Sequence, residues 1–410
     1  VTNPTLPALR TSRRTQSLLV ALALIVLGTY GYAASGPLRT VTSTVSDYAS
    51  YIGTAGWLID GRPADLHEIP WRNRELPVGY PGAIVILRAC GLATPQGLLA
   101  LNLISLAIGM AACWLLLQAA FSISRPVASG IALLVLSSTA CCELSVTIAS
   151  EMLFFALTNV TLLYLTRLTN LRRPLDWLAI LLLCVALISV RTVGMAILPA
   201  VVWRAASGKI QFARDWKRLL LWAFPFLLLI GWYVARSNYV NKIIRSEYSS
   251  STWDVLAWQQ ITKLSGFGEL ALNLHAEDFV RWLRPDLVFG GLLCVGLCTL
   301  GFWSRRRKLQ ALDIYIAVYA GILVVWPFFG FGTGRRYLFP LFPYVCGLIY
   351  LSGVELVKRA PALGKFVNRA GLVYLACFVL WGCLRSLEAS TFERATDHSA
   401  AIALHALDRP

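Results

Sequence analysis

Long apolar runs alternate with short basic stretches along this chain. LLVALALIVLGTYGYAA at 18–34 and LALNLISLAIGMAACWLLLQAAF at 99–121 are each long enough for a helix that crosses the ~30 Å hydrocarbon core of a bilayer. Similar runs predict helices at 17–35, 97–121, 126–142, 150–167, 219–235, 286–303, 310–329, 337–354 and 371–386. Two longer segments, 36–96 and 236–285, are richer in polar, aromatic and turn residues. VGYPGAIVILRACG, at the end of the first, is apolar but short and carries Arg88, which fits an interfacial helix better than a span.

Leu175 to Trp203 is apolar enough for one span, but a single crossing would carry the basic stretch RAASGKIQFARDWKR to the wrong side. Two short crossings that meet near Arg191 restore the alternation. A charged residue at such a turn is costly unless it faces a partner or a water-filled cavity, so Arg191 becomes a functional candidate.

Composition agrees with the pattern: 57% hydrophobic residues, 14% charged residues and a mean hydropathy of +0.64 exclude an ordinary soluble domain. A net charge of +16 would point to nucleic acid in a soluble protein, but its location says otherwise. Segments 1–16, 122–126, 167–174, 203–218, 304–309 and 355–370 hold 20 of the 37 Lys and Arg residues, while only Asp176, Asp215, Asp313 and Glu355 among the acids lie on that side. The remaining 17 basic residues are matched by 17 acidic ones. By the positive-inside rule the basic segments are cytoplasmic, and no nucleic-acid partner is implied.

The expected architecture is an all-α polytopic membrane protein of the inner (plasma) membrane, with about 11 passes, two of them short. Two helical loop regions, 36–96 and 236–285, are expected at the outer face. Residues 1–386 would form the transmembrane domain and 387–410 a short non-cytoplasmic tail. Arg10, Arg13 and Arg14 before the first run, with Ala33, Ala34 and Ser35 after it, also suit a cleaved signal peptide. The run exceeds the usual apolar core of such peptides, so an uncleaved anchor is expected. The ten cysteines sit in or beside apolar segments, without metal-ligand spacing to the four histidines, and read as small core residues.

Candidate chemistry gathers on the expected outer side. It comprises Asp47 in TSTVSDYASYIGTAGWLIDGR, Tyr80 in LPVGYPG, Glu151 in IASEMLFF, Arg191 in ISVRTVGMAILPA, and Arg335 with Arg336 in GTGRRYLFPLFP. Each has a plainer reading. Asp47 suits an N-cap of a helix from Tyr48, and Glu151 a first-turn acid facing the helix dipole. Arg335 and Arg336 suit snorkelling at an interface, and Tyr80 a structural place beside Pro77 and Pro81. Asp60, Asp65, His67 and Glu68 read as a solvated loop, and Trp253, Trp258 and Trp282 as interface anchors.

In this order the motifs resemble the C-type (GT-C) superfamily of integral-membrane glycosyltransferases. These multi-pass enzymes, which include protein mannosyltransferases and aminoarabinose transferases, use polyprenyl-phosphate-linked sugars. The resemblance covers most of the chain and implies that Asp47 acts as the catalytic base towards an acceptor hydroxyl, on the periplasmic or extracellular side. It implies that Arg191, Arg335 and Arg336 hold the donor's phosphate, and that Tyr80 and Glu151 contribute to substrate binding. Such a transfer would be inverting, and arginine suits a departing phosphate because its planar fork donates several hydrogen bonds and keeps its proton.

The phosphate already activates the sugar, so neither ATP nor a redox cofactor is required. A divalent metal stays open, since Ser46, Asp47 and Tyr48 stand where many members have paired acids. The implied partners are a polyprenyl-phosphate sugar donor, a glycan, lipid or protein acceptor, and membrane lipids. A transporter or flippase of lipid-linked sugars, and a polysaccharide polymerase or ligase, are the competing classes.

Overall fold

The computed structural model describes residues 13–36, 38, 48–60, 77–168, 174–207, 253–274, 284–325 and 334–394. Among these residues the structure is helical, without a strand. In chain order the helices are α1 (Arg13–Ala34), α2 (Tyr48–Asp60), α3 (Gly79–Ala89), α4 (Pro95–Phe121), α5 (Arg125–Leu136), α6 (Thr139–Ser145) and α7 (Glu151–Arg167). There follow α8 (Pro174–Val190), a 3₁₀ turn (Thr192–Ala196), α9 (Ile197–Ser207), α10 (Trp253–Leu272), α11 (Pro285–Arg305) and α12 (Ala311–Val325). The last are α13 (Gly334–Leu338), a 3₁₀ turn (Phe339–Leu341), α14 (Phe342–Arg359) and α15 (Gly364–Arg394).

These helices need a lipid solvent. α8 exposes Leu175, Leu178, Leu182 and Val185, while Ile180, Cys184, Leu187 and Ile188 are buried. A helix apolar on both its packed and its open faces belongs in hydrocarbon. α11 repeats this with Phe289, Leu292 and Leu293, and α15 with Val373, Leu380 and Leu384. Five helical stretches among the described residues are long and apolar enough to cross a bilayer: Arg13–Ala34, Pro95–Phe121, Pro285–Arg305, Arg336–Arg359 and Pro361–Thr391. The chain is an integral membrane protein.

The run at 126–142, expected as one helix, is instead α5 and α6, bent by 65°. Serines make the break. Ser137 ends α5, and the Ser138 hydroxyl caps α6 by accepting from the Cys141 N–H. Asn273, beyond α10 with φ of +51°, holds the break together. Its Oδ1 accepts from the Thr139 N–H at 2.9 Å, and its Nδ2 donates to the Ser137 and Phe378 carbonyls at 3.2 Å each. Backbone groups freed by a break are thus satisfied inside the protein, as an apolar solvent requires.

The last helix continues past residue 386 to Arg394, and helices occupy both longer segments, α2 and α3 in the first and α10 in the second. Residues 219–235, expected as a span, lie outside the described residues. So do Asp47, Asp65, His67, Glu68 and Trp282, and the side chains of Asp60, Trp253 and Trp258.

The main core lies where α4, α7, α12 and α14 meet, with Phe154, Phe155, Tyr315, Phe339 and Tyr344 fully buried. Two of the polar side chains in it are hydrogen-bonded within the protein: Tyr344 donates to Asn159 Oδ1 at 2.5 Å, and Asn102 donates to the Thr147 carbonyl at 2.7 Å. At the basic end, Arg305 forks onto the fully buried Asp313 at 2.6 and 2.8 Å, and the Gln310 N–H donates to the same carboxylate. That pair pins α11 to α12. All ten cysteines are free, and six of them are buried.

Candidate functional site

Three separate helix ends bring the candidate charges together. Glu151 is the first residue of α7, where unpaired N–H groups favour an acid. It is fully buried. Arg191 stands between α8 and the 3₁₀ turn in extended conformation (φ −150°, ψ 133°), so the helix stops as its side chain turns inward. Arg336 lies in the short helix α13, within the sequence GRRYL.

Glu151 Oε1 accepts from both arginines, from Arg336 Nε at 2.5 Å and from Arg191 Nη1 in a still closer contact. The side chains of Arg191 and Arg336 are 9% and 3% exposed. Snorkelling therefore does not describe Arg336, whose guanidinium points into the protein. The separation in sequence makes the cluster a tertiary feature.

Aromatic residues wall it. The Arg191 guanidinium lies 4.7 Å from the Tyr337 ring centre and 5.9 Å from that of Phe154, and Arg336 lies 5.4 Å from Tyr337. Such stacking suits the delocalised charge of arginine. Tyr319 donates to the Tyr337 carbonyl at 2.9 Å and fixes that residue. Behind Glu151, Tyr51 of α2 and the Ser150 hydroxyl are 3.0 Å apart, and the Tyr51 and Tyr80 rings meet edge-on at 5.0 Å. Tyr80 is wholly buried, and burial, followed by Tyr51 and Glu151, drives its phenol well above the ordinary value. It stays protonated and cannot serve as a base.

Among the described residues, then, Glu151, Arg191, Arg336 and Tyr80 form one neighbourhood. Asp47 and the Arg335 side chain lie outside the described residues. Asp47 directly precedes α2, whose Tyr51 reaches Ser150. Sequence reasoning did not single out Tyr51, Tyr319 or Tyr337. Tyr51 and Tyr337 stand inside the motifs that were noticed, YASY and RYLFPLFP, whereas Tyr319 lies in an apolar run without local signal.

The two arginines meet at a single carboxylate oxygen. Arg191 uses one nitrogen on Glu151, so its other N–H donors remain for a further acceptor, and its slight exposure leaves a way in. A buried, preorganised guanidinium suits a phosphoryl or carboxylate oxygen. No three His, Cys, Asp or Glu residues among those described are placed to share a metal ion.

Among solved structures the chain is similar to ArnT. The crystal structure of ArnT from Cupriavidus metallidurans bound to undecaprenyl phosphate covers 97% of this chain and 78% of its own, with 14% identity and a TM-score of 0.45. The apo form of the same protein covers 95% and 76%, with 15% identity and a TM-score of 0.42. Likeness at that level transfers no residue roles, which stand on the geometry above. No protein-family model matches the chain, and no curated protein matches it.

Proposed function

We propose that this protein is a membrane glycosyltransferase that moves a sugar from a polyprenyl-phosphate donor to an acceptor hydroxyl on the periplasmic or extracellular side. The observation that carries the reading is the convergence of Arg191 and Arg336 on Glu151 in a buried cluster flanked by aromatic rings. Glu151 sets the arginines in place. Arg191 then offers its remaining donors to the lipid phosphate, whose charge grows as the glycosidic bond breaks. Asp47 takes the proton of the acceptor hydroxyl as that oxygen attacks the anomeric carbon from the opposite face. The polyprenyl chain lies among the exposed apolar faces of the helices. The order of the motifs from Asp47 to RYLFPLFP supports the same roles, with Arg335 beside Arg336 as a further donor to the phosphate.

A second reading has its own support. Broken helices such as α5 with α6, and α8 with the turn after Arg191, are where transporters place their substrates. Incubating purified protein with a panel of polyprenyl-phosphate sugars and candidate acceptors separates the two. The proposal predicts an acceptor heavier by one sugar and free polyprenyl phosphate, both lost in Asp47→Asn. A donor that crosses the membrane of a proteoliposome without bond cleavage would select the transporter.

A further inference from the structure

The basic end of α11 and α14 carries a recess that shares no lining residue with the Glu151 cluster. Above it the two helices approach closely. A Cβ on Gly301 would meet the Leu348 carbonyl oxygen at 2.2 Å, and the Ser352 hydroxyl bridges to the Leu297 carbonyl across the interface. One turn further on, a cavity of about 380 Å³ opens, lined by Trp303, Ser304, Arg306, Arg307, Glu355 and Arg359.

Its walls have a definite chemistry. Arg306 and Arg307 are exposed. The Arg306 guanidinium stacks over the Trp303 indole at 4.3 Å, and neither arginine has an ion-pair partner among the described residues. Glu355 is held at 3.7 and 3.4 Å by Lys358 and Arg359, so the lining stays cationic. Trp303 is 60% exposed, and α11 presents Phe289, Leu292 and Leu293 outward along the same span. An apolar helix face that ends in an exposed tryptophan and free guanidinium groups matches an amphiphile with an acidic head.

We infer that this recess binds the headgroup of an acidic glycerophospholipid of the surrounding bilayer. Arg306 and Arg307 donate to its phosphodiester, and its acyl chains lie along α11. The same charges would help to hold the protein's orientation, but a cavity bounded by two close-packed helices gives a discrete site, whereas a diffuse basic rim does not.

Native mass spectrometry of the detergent-purified protein, titrated with phosphatidylglycerol or with phosphatidylcholine of matched chains, tests it. Phosphatidylglycerol should be retained preferentially. Arg306→Gln with Arg307→Gln should weaken its retention by at least about tenfold, the loss of charge-assisted bonds to a phosphate. Lys365→Gln with Arg369→Gln removes the same charge from the same end of the protein but outside the recess, and should leave retention as in the wild type. Glu355→Gln should raise retention, and this variant decides the matter by itself if the double arginine variant fails to fold. Equal retention of the two lipids, equal losses in both double variants, no gain in Glu355→Gln, or displacement of the lipid by inorganic phosphate alone would each overturn the inference.

Discussion

Glu151→Gln removes one charge and almost no volume, which makes it a direct probe of the buried cluster. In the native protein one carboxylate oxygen serves Arg191 and Arg336, and all three side chains are at most 9% exposed. Removing one partner of a buried ion pair costs about 3–5 kcal/mol, because the remaining charge has lost both water and its counter-ion. The amide oxygen of glutamine still accepts from one guanidinium and recovers about 1 kcal/mol, which leaves a net loss of about 2–4 kcal/mol. Reversible unfolding in mixed detergent micelles would measure it.

Two further outcomes separate electrostatics from simple packing damage. Adding Arg191→Met should cost less in the Glu151→Gln background than alone, since the charge it removes is already stranded, and neighbouring residues of this kind couple by about 0.5–3 kcal/mol. Polyprenyl phosphate at one fixed concentration should stabilise the single variant more than the wild type, as its anion takes the empty place and binds more tightly there. A Glu151→Gln protein within about 0.5 kcal/mol of wild type, or strict additivity with Arg191→Met, would mean that Glu151 does not compensate a buried charge on Arg191.

Other expectations rest on separate parts of the fold. Gly382→Ala puts a Cβ 1.9 Å from the Ser137 carbonyl oxygen and 2.1 Å from Asn273 Nδ2, where Asn273 bridges the α5–α6 break. It should cost about 1–3 kcal/mol in the same unfolding measurement, and wild-type stability would show that the helices part freely there. Half-burial lowers the Lys263 ammonium to about 8, while an unfolded chain holds that proton to about 10.4. The folded state therefore binds fewer protons between these values, and stability should rise with pH across that window and level off above it. Lys263→Gln should flatten the rise; a profile of Tm against pH unchanged by the substitution would contradict it.

Much of the fold was legible because lipid imposes a simple rule on helices. Apolar runs of sufficient length became α1, α4, α11, α14 and α15, and the helix is interrupted near Arg191 as expected, between α8 and α9. The break at Ser137 and Ser138 was not legible. Serine is tolerated within membrane helices, and the group that stabilises the bend, Asn273, comes from distant sequence. Charge parity and motif order were enough to nominate Arg191, Glu151 and Arg336. They could not reveal that Glu151 joins the two arginines, because that contact links three helix ends distant in sequence. Glu151, expected as a possible substrate contact, accepts from both arginines in the structure.

Equilibrium binding of polyprenyl phosphate to the wild type and to Arg191→Met reads the contribution of this guanidinium to donor binding. Methionine keeps much of the side-chain volume and can place its sulfur against the Tyr337 ring, but it carries no charge and donates no hydrogen bond. Each charge-assisted bond to the phosphate is worth about 1.5–3 kcal/mol, so binding should weaken by about tenfold or more in a variant that remains folded. Undiminished affinity in Arg191→Met would contradict the claim that this buried arginine holds the donor's phosphate.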